Sequence, residues 1–374
     1  MDLYFSTSDF QLKGQPYEGF PILCDEHCQV VEPVMDFLIF HCIQRGRVQS
    51  VGSWQRYGQD LYDYFSYVEA NGYRWDHVDL EEGSLLAAYR DWSLSTASLS
   101  PNTVNSRLRT IVTFYQYAAR KGMIDALPFE VEEVYVNAPK GFLAHVDATG
   151  NTRKSVNVML REKPRNVKVL SIKDLQFTLD AISNQTHKLM VRFLAGTGVR
   201  NRELVSFPAK YIIDPSTHPK ERYYVNLDPR DMYTKGQRSR KIEISFGLMA
   251  DLWDYKLYAR QKQLQSNKDS DVPQELFINR FGRAFAQSSL YNALKLIELP
   301  FNVYPHIFRH TYATHTLAAH LGDGERSALM FVMKRLGHAS INTTMEYLHL
   351  LGDIEDDVES RYQTELDEMG RGGV

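Results

Sequence analysis

The sequence predicts a mainly helical protein with a small antiparallel β-sheet, an α+β fold built as two domains. Apolar residues recur at helical spacing over residues 31–131 and again after residue 170, whereas strand-like segments are few and follow Pro208. A chain of 374 residues is long enough for about two domains, each with a hydrophobic core of its own.

The boundaries follow changes in periodicity and composition along the chain. We expect two ordered domains, flanked and joined by segments that lack clear periodicity. In order, these are an irregular leader over 1–30, a helical domain over 31–131, a linker or inserted segment over 132–168, a second domain over 169–350 and an acidic tail over 351–374.

The composition is that of a soluble globular protein, with 24% charged and 43% hydrophobic residues. No apolar run approaches the length that a membrane span needs. The N-terminus, from Met1 to Tyr4, lacks the basic and apolar regions of a signal peptide. We therefore expect a cytoplasmic protein without a membrane partner.

Three cysteines, Cys24, Cys28 and Cys42, lie near the N-terminus. An odd and small number disfavours a disulfide framework. With His27 and His41 they could be imagined as zinc ligands, but the spacing matches no common structural site. We expect buried thiols here, and neither a metal nor another cofactor.

The net charge of −3 conceals an uneven distribution. Residues 353–374 carry eight acidic residues against two arginines, and without this tail the remainder has a net charge of +3. Lysine and arginine concentrate at 153–168 and again at 235–241. Because local patches, not net charge, neutralise phosphates, this distribution is compatible with DNA binding.

Periodicity predicts three helices in the first part of the N-terminal domain. The first is a buried helix over 33–43, and the second is capped by Ser53 and stops at Asn71-Gly72. The third runs over about 83–92.

A fourth helix has the clearest signals in the sequence. Ser100 is a cap, Pro101 suits the first helical position and Gly122 is the stop. Arg107 and Arg109 lie off its apolar face, a position that is more typical of a solvated polar side than of a DNA contact.

The segment over 132–168 is polar and basic, with Pro139, Gly141, Gly150 and Pro164 along it. A stretch of this length without periodicity is typical of a linker or an inserted element. Its basic residues are suited to contact a DNA backbone.

The second domain begins with two predicted helices, the first capped by Ser171 and the second covering 188–194. Two glycines then break the pattern, and a new helix begins near Arg200. An arginine at a helix start opposes the helix dipole, so an anionic partner is expected, and Glu203, one turn on, can hold the guanidinium.

Strands are predicted after Pro208. One covers 222–227, and 231–245 is expected to be a hairpin that turns near Gly236. Helices over 248–265 and 288–296 follow, with a short strand at 276–279 between them. Lys235 lies at the predicted turn, with Arg238 and Arg240 as rival cations beside it.

The C-terminal part of this domain contains a predicted phosphate site. His306 and Arg309 stand three residues apart, so a helix directs both side chains the same way. Pro305 suits the first turn of that helix, whose free N–H groups favour an anion. An imidazole, a guanidinium and a helix N-terminus together describe a phosphate site.

A second cluster follows it. Gly337 can take the left-handed conformation that ends a helix, His338 opens the next segment and Tyr347 lies nine residues further. A phenol near a phosphate site can act as a nucleophile. Any one of these residues alone is more often structural than catalytic, and it is the ordered set that favours chemistry.

This ordered set resembles the signature of the tyrosine site-specific recombinases, the phage integrase family. The residues that carry the resemblance as catalytic candidates are Arg200, Lys235, His306, Arg309, His338 and Tyr347. The resemblance implies that 169–350 is a catalytic domain, and that 31–131 is a helical core-binding domain whose last helix lies against DNA. Arg107, Arg109, Arg238 and Arg240 are then candidate DNA contacts, and Glu203 supports Arg200.

The resemblance also implies a reaction. Tyr347 attacks a backbone phosphorus and forms a 3′-phosphotyrosine, the arginines hold the phosphate oxygens and Lys235 protonates the departing 5′ oxygen. The histidines bind the same oxygens or assist proton movement at the phenol. The expected partners are double-stranded DNA with paired recombination sites, three further protomers in a tetramer coupled through the C-terminal tail, and accessory proteins.

The expected function is therefore site-specific recombination, in integration, excision or transposition of a mobile element. Two alternatives remain open from the sequence. A type IB topoisomerase-like enzyme shares the chemistry but relaxes DNA as a monomer, and formation of Holliday junctions on paired sites would exclude it. A catalytically idle DNA-binding protein would form no covalent adduct with DNA.

Overall fold

A computed structural model of the chain divides into two compact units, Met1–Arg165 and Asn166–Val374. Each unit has its own hydrophobic core. The residues described are 1–46, 48, 50–77, 84–135, 152–162, 167–267, 271–338 and 341–353. The tail beyond residue 353, through which the protomers of a tetramer are expected to be coupled, lies outside the described residues.

Short strands open the N-terminal unit. β1 (Asp2–Phe5) pairs antiparallel with β4 (Pro21–Cys24), and β2 (Gln11–Leu12) pairs with β3 (Gln15–Pro16). Phe20, just before β4, is fully buried in the core of this unit. The expectation of an irregular leader is wrong, because strands this short are not revealed by periodicity.

Helices build the rest of this unit, and the four predicted helices are confirmed with shifted ends. They are α1 (Glu32–Leu38, continued as a π-helix over Ile39–Gln44), α2 (Val51–Ala70), α3 (Leu85–Ser95) and α4 (Pro101–Arg120). The cap of α2 is Ser50, whose hydroxyl accepts the Ser53 N–H, so Ser53 was the wrong choice. Ser100 caps α4 as predicted.

The predicted linker over 132–168 is partly ordered on the N-terminal unit. β5 (Val131–Tyr135) and β6 (Thr152–Val156) form an antiparallel pair. Beyond β6, the side chain of Asn105 exchanges two hydrogen bonds of 2.8 Å with the backbone of Leu160. The described part of the segment therefore packs against α4 and is not a free linker, a contact that composition does not reveal.

The C-terminal unit is mainly helical. Its helices are α5 (Ile172–Ala181), α6 (Gln185–Thr197), α7 (Asn201–Val205), α8 (Phe246–Asp254), α9 (Arg260–Leu264), α10 (Ser289–Lys295), α11 (Pro305–His320), α12 (Glu325–Leu336) and α13 (Asn342–Met345). A π-helical turn joins α8 to α9, and the α5 cap is Ser171 as predicted. Together with the small antiparallel strand pairs, these helices confirm the α+β fold class.

One hairpin lies among these helices. β7 (Arg222–Leu227) pairs antiparallel with β8 (Arg240–Ser245), and residues 228–239 connect them. The predicted hairpin over 231–245 is wrong in its first strand, because that stretch is a loop and β8 pairs with β7. The strand predicted at 276–279 is reduced to one isolated bridge at Ile278.

The contact between α6 and α11 fixes the start of α7. Gly198 ends α6 in the left-handed conformation, with φ of 65°. A Cβ at this position would lie 2.3 Å from the Tyr312 ring of α11, so only glycine lets the chain turn here. Arg200 follows two residues later, at the N-cap of α7.

Among the described residues, no helix is both long and apolar enough to cross a membrane. All three cysteines are free thiols; Cys24 and Cys42 are buried and Cys28 is exposed. Within the same residues, no group of three or more His, Cys, Asp or Glu side chains is placed to hold a metal ion.

Candidate active site

Arg309 lies at the centre of the site, on the second turn of α11. Its side chain is among the largest fully buried ones of the described chain, with 1% exposure. The guanidinium donates through Nη1 to the Gly198 carbonyl and through Nη2 to the Leu336 carbonyl, the latter at 2.7 Å. It therefore joins the ends of two helices, α6 and α12.

The C-terminal end of α12 holds a second arginine. The Arg335 carbonyl accepts a hydrogen bond of 3.1 Å from Nε of Arg240, and the next carbonyl, of Leu336, is the one that Arg309 binds. Last-turn carbonyls lack partners within a helix and carry the negative end of its dipole, so two cations suit them. Gly337 ends α12 with φ of 64°, as predicted.

Glu203 binds two of the arginines. Both of its oxygens accept from Arg240, at 2.7 and 2.6 Å, and they also accept from the Arg200 side chain at 3.0 Å and the Arg200 N–H at 2.8 Å. The carboxylate is fully buried. Burial alone would raise the pKa of Glu203, but Arg240 and Arg200 outweigh it and lower this pKa to about 2.

The charges in this cluster do not balance. Arg200, Arg240 and Arg309 face one carboxylate, that of Glu203, which leaves two positive charges in a largely buried space. Burial, and then the charges of Arg200 and Arg240, lower the pKa of Arg309 to about 9. The cluster therefore favours an anion, and guanidinium forks match the geometry of a phosphate.

Tyr347 lies between α13 and a 3₁₀-helix over Leu348–Asp353, with only 4% of its surface exposed. Burial raises the pKa of the Tyr347 phenol, while the nearby charges of Arg309 and Arg200 oppose that rise. The phenol is therefore protonated at neutral pH and stands within the electrostatic reach of the arginine cluster.

The phenol is surrounded by imidazoles. Nδ1 of His310 lies 3.2 Å from the Tyr347 hydroxyl, and the ring of His338 stacks beside Tyr347 at 6.1 Å between centroids. His338 uses its own Nδ1 in a 2.9 Å hydrogen bond with the Thr344 hydroxyl. His306 is exposed, and its ring meets that of His310 at 4.4 Å.

Both inner histidines are neutral. Burial first, then the charges of His306 and Arg309, lower the pKa of His310 to about 3. Burial and the nearby arginines likewise lower the pKa of His338 to about 3. A buried imidazole beside cations loses its proton readily, so the excess positive charge of the site belongs to the guanidinium groups.

Residues 168–352 match the family model described as "Phage integrase family". The C-terminal unit belongs to the phage integrase family. Transposase A from transposon Tn554 of Staphylococcus aureus is 27% identical over 364 residues, covering 91% of this chain and 93% of that protein. Tyrosine recombinase XerD of Oceanobacillus iheyensis is 24% identical over 325 residues, covering 85% of this chain and 93% of that protein.

Among solved structures, the chain resembles the XerH site-specific recombinase bound to its palindromic difH substrate in a post-cleavage complex. The TM-score is 0.54 at 18% identity, over 83% of this chain and 80% of that one. At this identity the likeness shows the fold of a phage integrase family member. The enzyme class, a tyrosine recombinase, follows from the family match.

Lys235 differs from the other predicted catalytic residues of this family member. It lies in the connection between β7 and β8, at an exposed turn, where Gly236 and Gln237 have φ of 71° and 52°. Within the described residues its side chain makes no hydrogen bond, ion pair or ring contact. The base of the turn is fixed, because the Arg202 guanidinium stacks 3.9 Å above the Tyr233 ring.

The candidate DNA-binding arginines fall into three environments. Arg238 is exposed beside Lys235, whereas Arg240 is enclosed and binds Glu203. Arg107 pairs with Asp63 at 2.7 Å and is only partly exposed. Arg109 is more exposed and pairs with Glu162. Arg240 does not lie on the surface as a DNA contact would, because its side chain is bonded to the carboxylate of Glu203 and to the Arg335 carbonyl at the end of α12.

His310 is the functional candidate that the sequence reasoning did not single out. Its position, four residues after His306 on the same helix, places both rings on one face. That spacing was visible in the sequence, but the contact with Tyr347 arises from the fold, since 37 residues separate the two.

Proposed function

We propose that the chain is a site-specific DNA recombinase that cleaves and rejoins strands through a 3′-phosphotyrosine on Tyr347. One observation carries the proposal: a buried phenol stands beside a cluster of three guanidinium groups that have one carboxylate among them. A phosphodiester is the anion that such a cluster fits and that such a nucleophile attacks.

The arginines lower the activation barrier of cleavage by stabilising negative charge on the phosphate. Uncatalysed phosphodiester cleavage is so slow that the site must remove on the order of 20 kcal/mol. Arg200 and Arg309 bind the two non-bridging oxygens, and their positive charge stabilises the negative charge that develops at phosphorus. Glu203 and the carbonyls at the end of α12 fix the cluster before DNA arrives, so little reorganisation is needed during the reaction.

Each cleavage step balances without an external energy source. The Tyr347 phenol gives its proton to a neighbouring imidazole and its oxygen bonds to phosphorus as the bond to the 5′ oxygen breaks. Lys235 gives its proton to the departing oxygen. The 3′-phosphotyrosine conserves the energy of the phosphodiester. A 5′-hydroxyl from another strand then reverses the step, which yields strand exchange.

Exchange between two DNA sites requires several copies of the chain. We place four protomers on two paired sites, with residues 351–374 as a segment that docks onto a neighbouring protomer, and with accessory proteins where directionality is needed. The likeness to a transposase from a transposon favours a role in integration, excision or transposition of a mobile element.

The test uses nicked duplexes tiled across the DNA that flanks the gene. A short fragment beyond the nick diffuses away after cleavage, so the covalent protein–DNA adduct accumulates. Wild type should give the adduct in EDTA as well as without it, Tyr347→Phe should give none, and Tyr291→Phe, at an exposed tyrosine, should match wild type. Absence of any adduct from wild type would favour an idle DNA-binding protein.

A second assay separates recombination from relaxation. Two copies of the cleaved sequence on separate duplexes should yield Holliday junctions with the wild-type chain. Relaxation of supercoiled plasmid without junctions would instead indicate a topoisomerase-like enzyme.

A further inference from the structure

The attack by Tyr347 requires a proton acceptor, because the phenol is protonated in the folded site. A general base must lie within hydrogen-bond reach of the proton that it takes. The hydroxyl of Tyr347 has a described contact of this kind with Nδ1 of His310, at 3.2 Å. This distance places Nδ1 of His310 within reach of the phenol proton.

His338 is less well placed for this task. Its ring lies nearly parallel to that of Tyr347, with 15° between the planes and 6.1 Å between the centroids, so it presents a face to the phenol. Its Nδ1 is already 2.9 Å from the Thr344 hydroxyl. His338 stays suited to bind a phosphate oxygen through its other nitrogen.

The ring of His306 meets that of His310. The two rings lie 4.4 Å apart at 65°, as neighbours on one face of α11, and His306 is exposed. On its other side the ring of His310 meets that of Tyr347 at 5.7 Å. His310 is thus held between His306 and the nucleophile.

The charge state of His310 suits an acceptor. Burial and the charges of His306 and Arg309 keep it neutral at pH 7, so a lone pair is available. The same surroundings disfavour an imidazolium while the site is empty. A bound phosphate, and the further negative charge that develops during attack, offset that penalty and make proton transfer favourable only when DNA is in place.

We propose that His310 takes the Tyr347 proton as the phenol oxygen attacks phosphorus. The O–H bond of Tyr347 breaks, its oxygen bonds to phosphorus, the proton moves to Nδ1 of His310, and the 5′ oxygen leaves with a proton from Lys235. In rejoining, His310 returns the proton to the phenol. This assignment rests on the proposed function, and it places the base on the residue after Arg309.

Chemical rescue tests the proposal. Adduct formation on the nicked duplex is followed in single-turnover reactions with His310→Ala. We expect the rate to fall about 10²- to 10⁴-fold, the range typical of a general base. Added imidazole should raise it at least tenfold by entering the space left by the ring. Pyrazole, which has the same size but is a far weaker base, should not.

His187→Ala is the matched control, since His187 is a partly buried histidine whose described ring contact is with Phe285, which is not one of the site residues. Its rate should match wild type and should not respond to imidazole. A His310→Ala rate within about threefold of wild type would overturn the proposal. Equal rescue by pyrazole would also overturn it, because the ring would then only fill space.

His310→Asn is a second variant, to be used if His310→Ala disturbs folding. Asparagine places an acceptor oxygen near the position of Nδ1 but cannot take a proton. The variant should keep the wild-type melting temperature and DNA affinity and still cleave slowly. A folded His310→Asn variant that cleaves at the wild-type rate would contradict the assignment. The proposed function fails separately, when wild type itself forms no adduct.

Discussion

The arginine cluster and the Lys235 turn, to which we assign parts of one reaction, are in opposite structural states. Arg309 is buried and the side chain of Arg240 is largely enclosed, and each is fixed by two or more hydrogen bonds to Glu203 or to helix-end carbonyls. Lys235 is exposed at the tip of a connection, with no partner among the described residues. One part of the site is built by folding, whereas the other is free to adapt.

This difference has a physical basis. A buried guanidinium is tolerable only when its donors are satisfied, so the residues that hold charge must be organised in the absence of DNA. A lysine that gives up a proton only after DNA is bound gains nothing from burial beforehand. We therefore expect the arginine cluster to control both stability and rate, and the lysine turn to control rate alone.

Arg309→Lys should give the largest effect. Lysine keeps the positive charge but cannot span the Gly198 and Leu336 carbonyls and a phosphate at once. We expect adduct formation to slow about 10³-fold, near 4 kcal/mol of transition-state stabilisation, with DNA affinity largely retained. Single-turnover cleavage and a binding titration measure the two quantities.

Arg230→Lys is the control, because that arginine is exposed and its side chain pairs, among the described residues, only with Asp228. Equal loss of DNA affinity and of cleavage in Arg309→Lys would show an anchoring role alone.

Glu203→Gln should have the next largest effect, and this effect is a lower free energy of unfolding. Loss of this carboxylate leaves the enclosed guanidinium of Arg240 and the partly exposed one of Arg200 without their counter-ion, which costs about 3 kcal/mol. Urea unfolding measures the difference from wild type, and Glu221→Gln, at an exposed glutamate, should show almost none.

The difference in unfolding free energy between wild type and Glu203→Gln should depend on pH in one direction. The pKa of Glu203 is lowered on folding from 4.5 to about 2, so its contribution to stability is fully present above pH 4.5 and is lost as the pH falls toward 2. Wild type and Glu203→Gln should therefore converge in stability at acidic pH. A constant gap would contradict an ionised Glu203.

Lys235→Ala should slow cleavage about 10²-fold, close to 2.7 kcal/mol, and leave the unfolding curve unchanged. A duplex with sulfur in place of the 5′ leaving oxygen should restore the rate, because a thiolate leaves without a proton. Lys220→Ala serves as the control at another exposed lysine. If the sulfur substrate fails to rescue Lys235→Ala, the lysine is not the acid.

Gly337→Ala should have the smallest effect. The left-handed φ of 64° is unfavourable for alanine by about 1–2 kcal/mol, and a Cβ there would lie 2.8 Å from Cδ of Arg240. Gly322→Ala is the matched control, since its Cβ would meet nothing within 4 Å. Equal melting temperatures for the two variants would show that the end of α12 does not constrain Arg240.

Local signals in the sequence predicted much of this fold. Ser100 and Ser171 cap their helices, Gly337 ends α12, and the fold class is confirmed. These features depend on a few neighbouring residues, which is why composition and spacing reveal them. The site residues were named from motif order, and the structure brings Arg200, Arg309, His338 and Tyr347 together, while their catalytic roles stay predictions.

Features that depend on distant pairing were not predictable in this way. The pairing of β8 with β7, the pairing of β1 with β4 and the packing of residues 157–162 on α4 all join segments that are not adjacent in the sequence. The positions of Arg240 and His310 also depend on contacts between separate segments of the chain. Arg240 is drawn inward by Glu203, and His310 meets Tyr347 only after α11 and the last helices have packed together.

The central claim is that the phenol of residue 347, among 22 tyrosines, is the nucleophile at the arginine cluster. The most direct test is to trap the adduct on a nicked duplex, digest it and identify the nucleotide-bearing peptide by mass spectrometry. The account predicts a single modified site, Tyr347. A nucleotide attached to any other residue would contradict it.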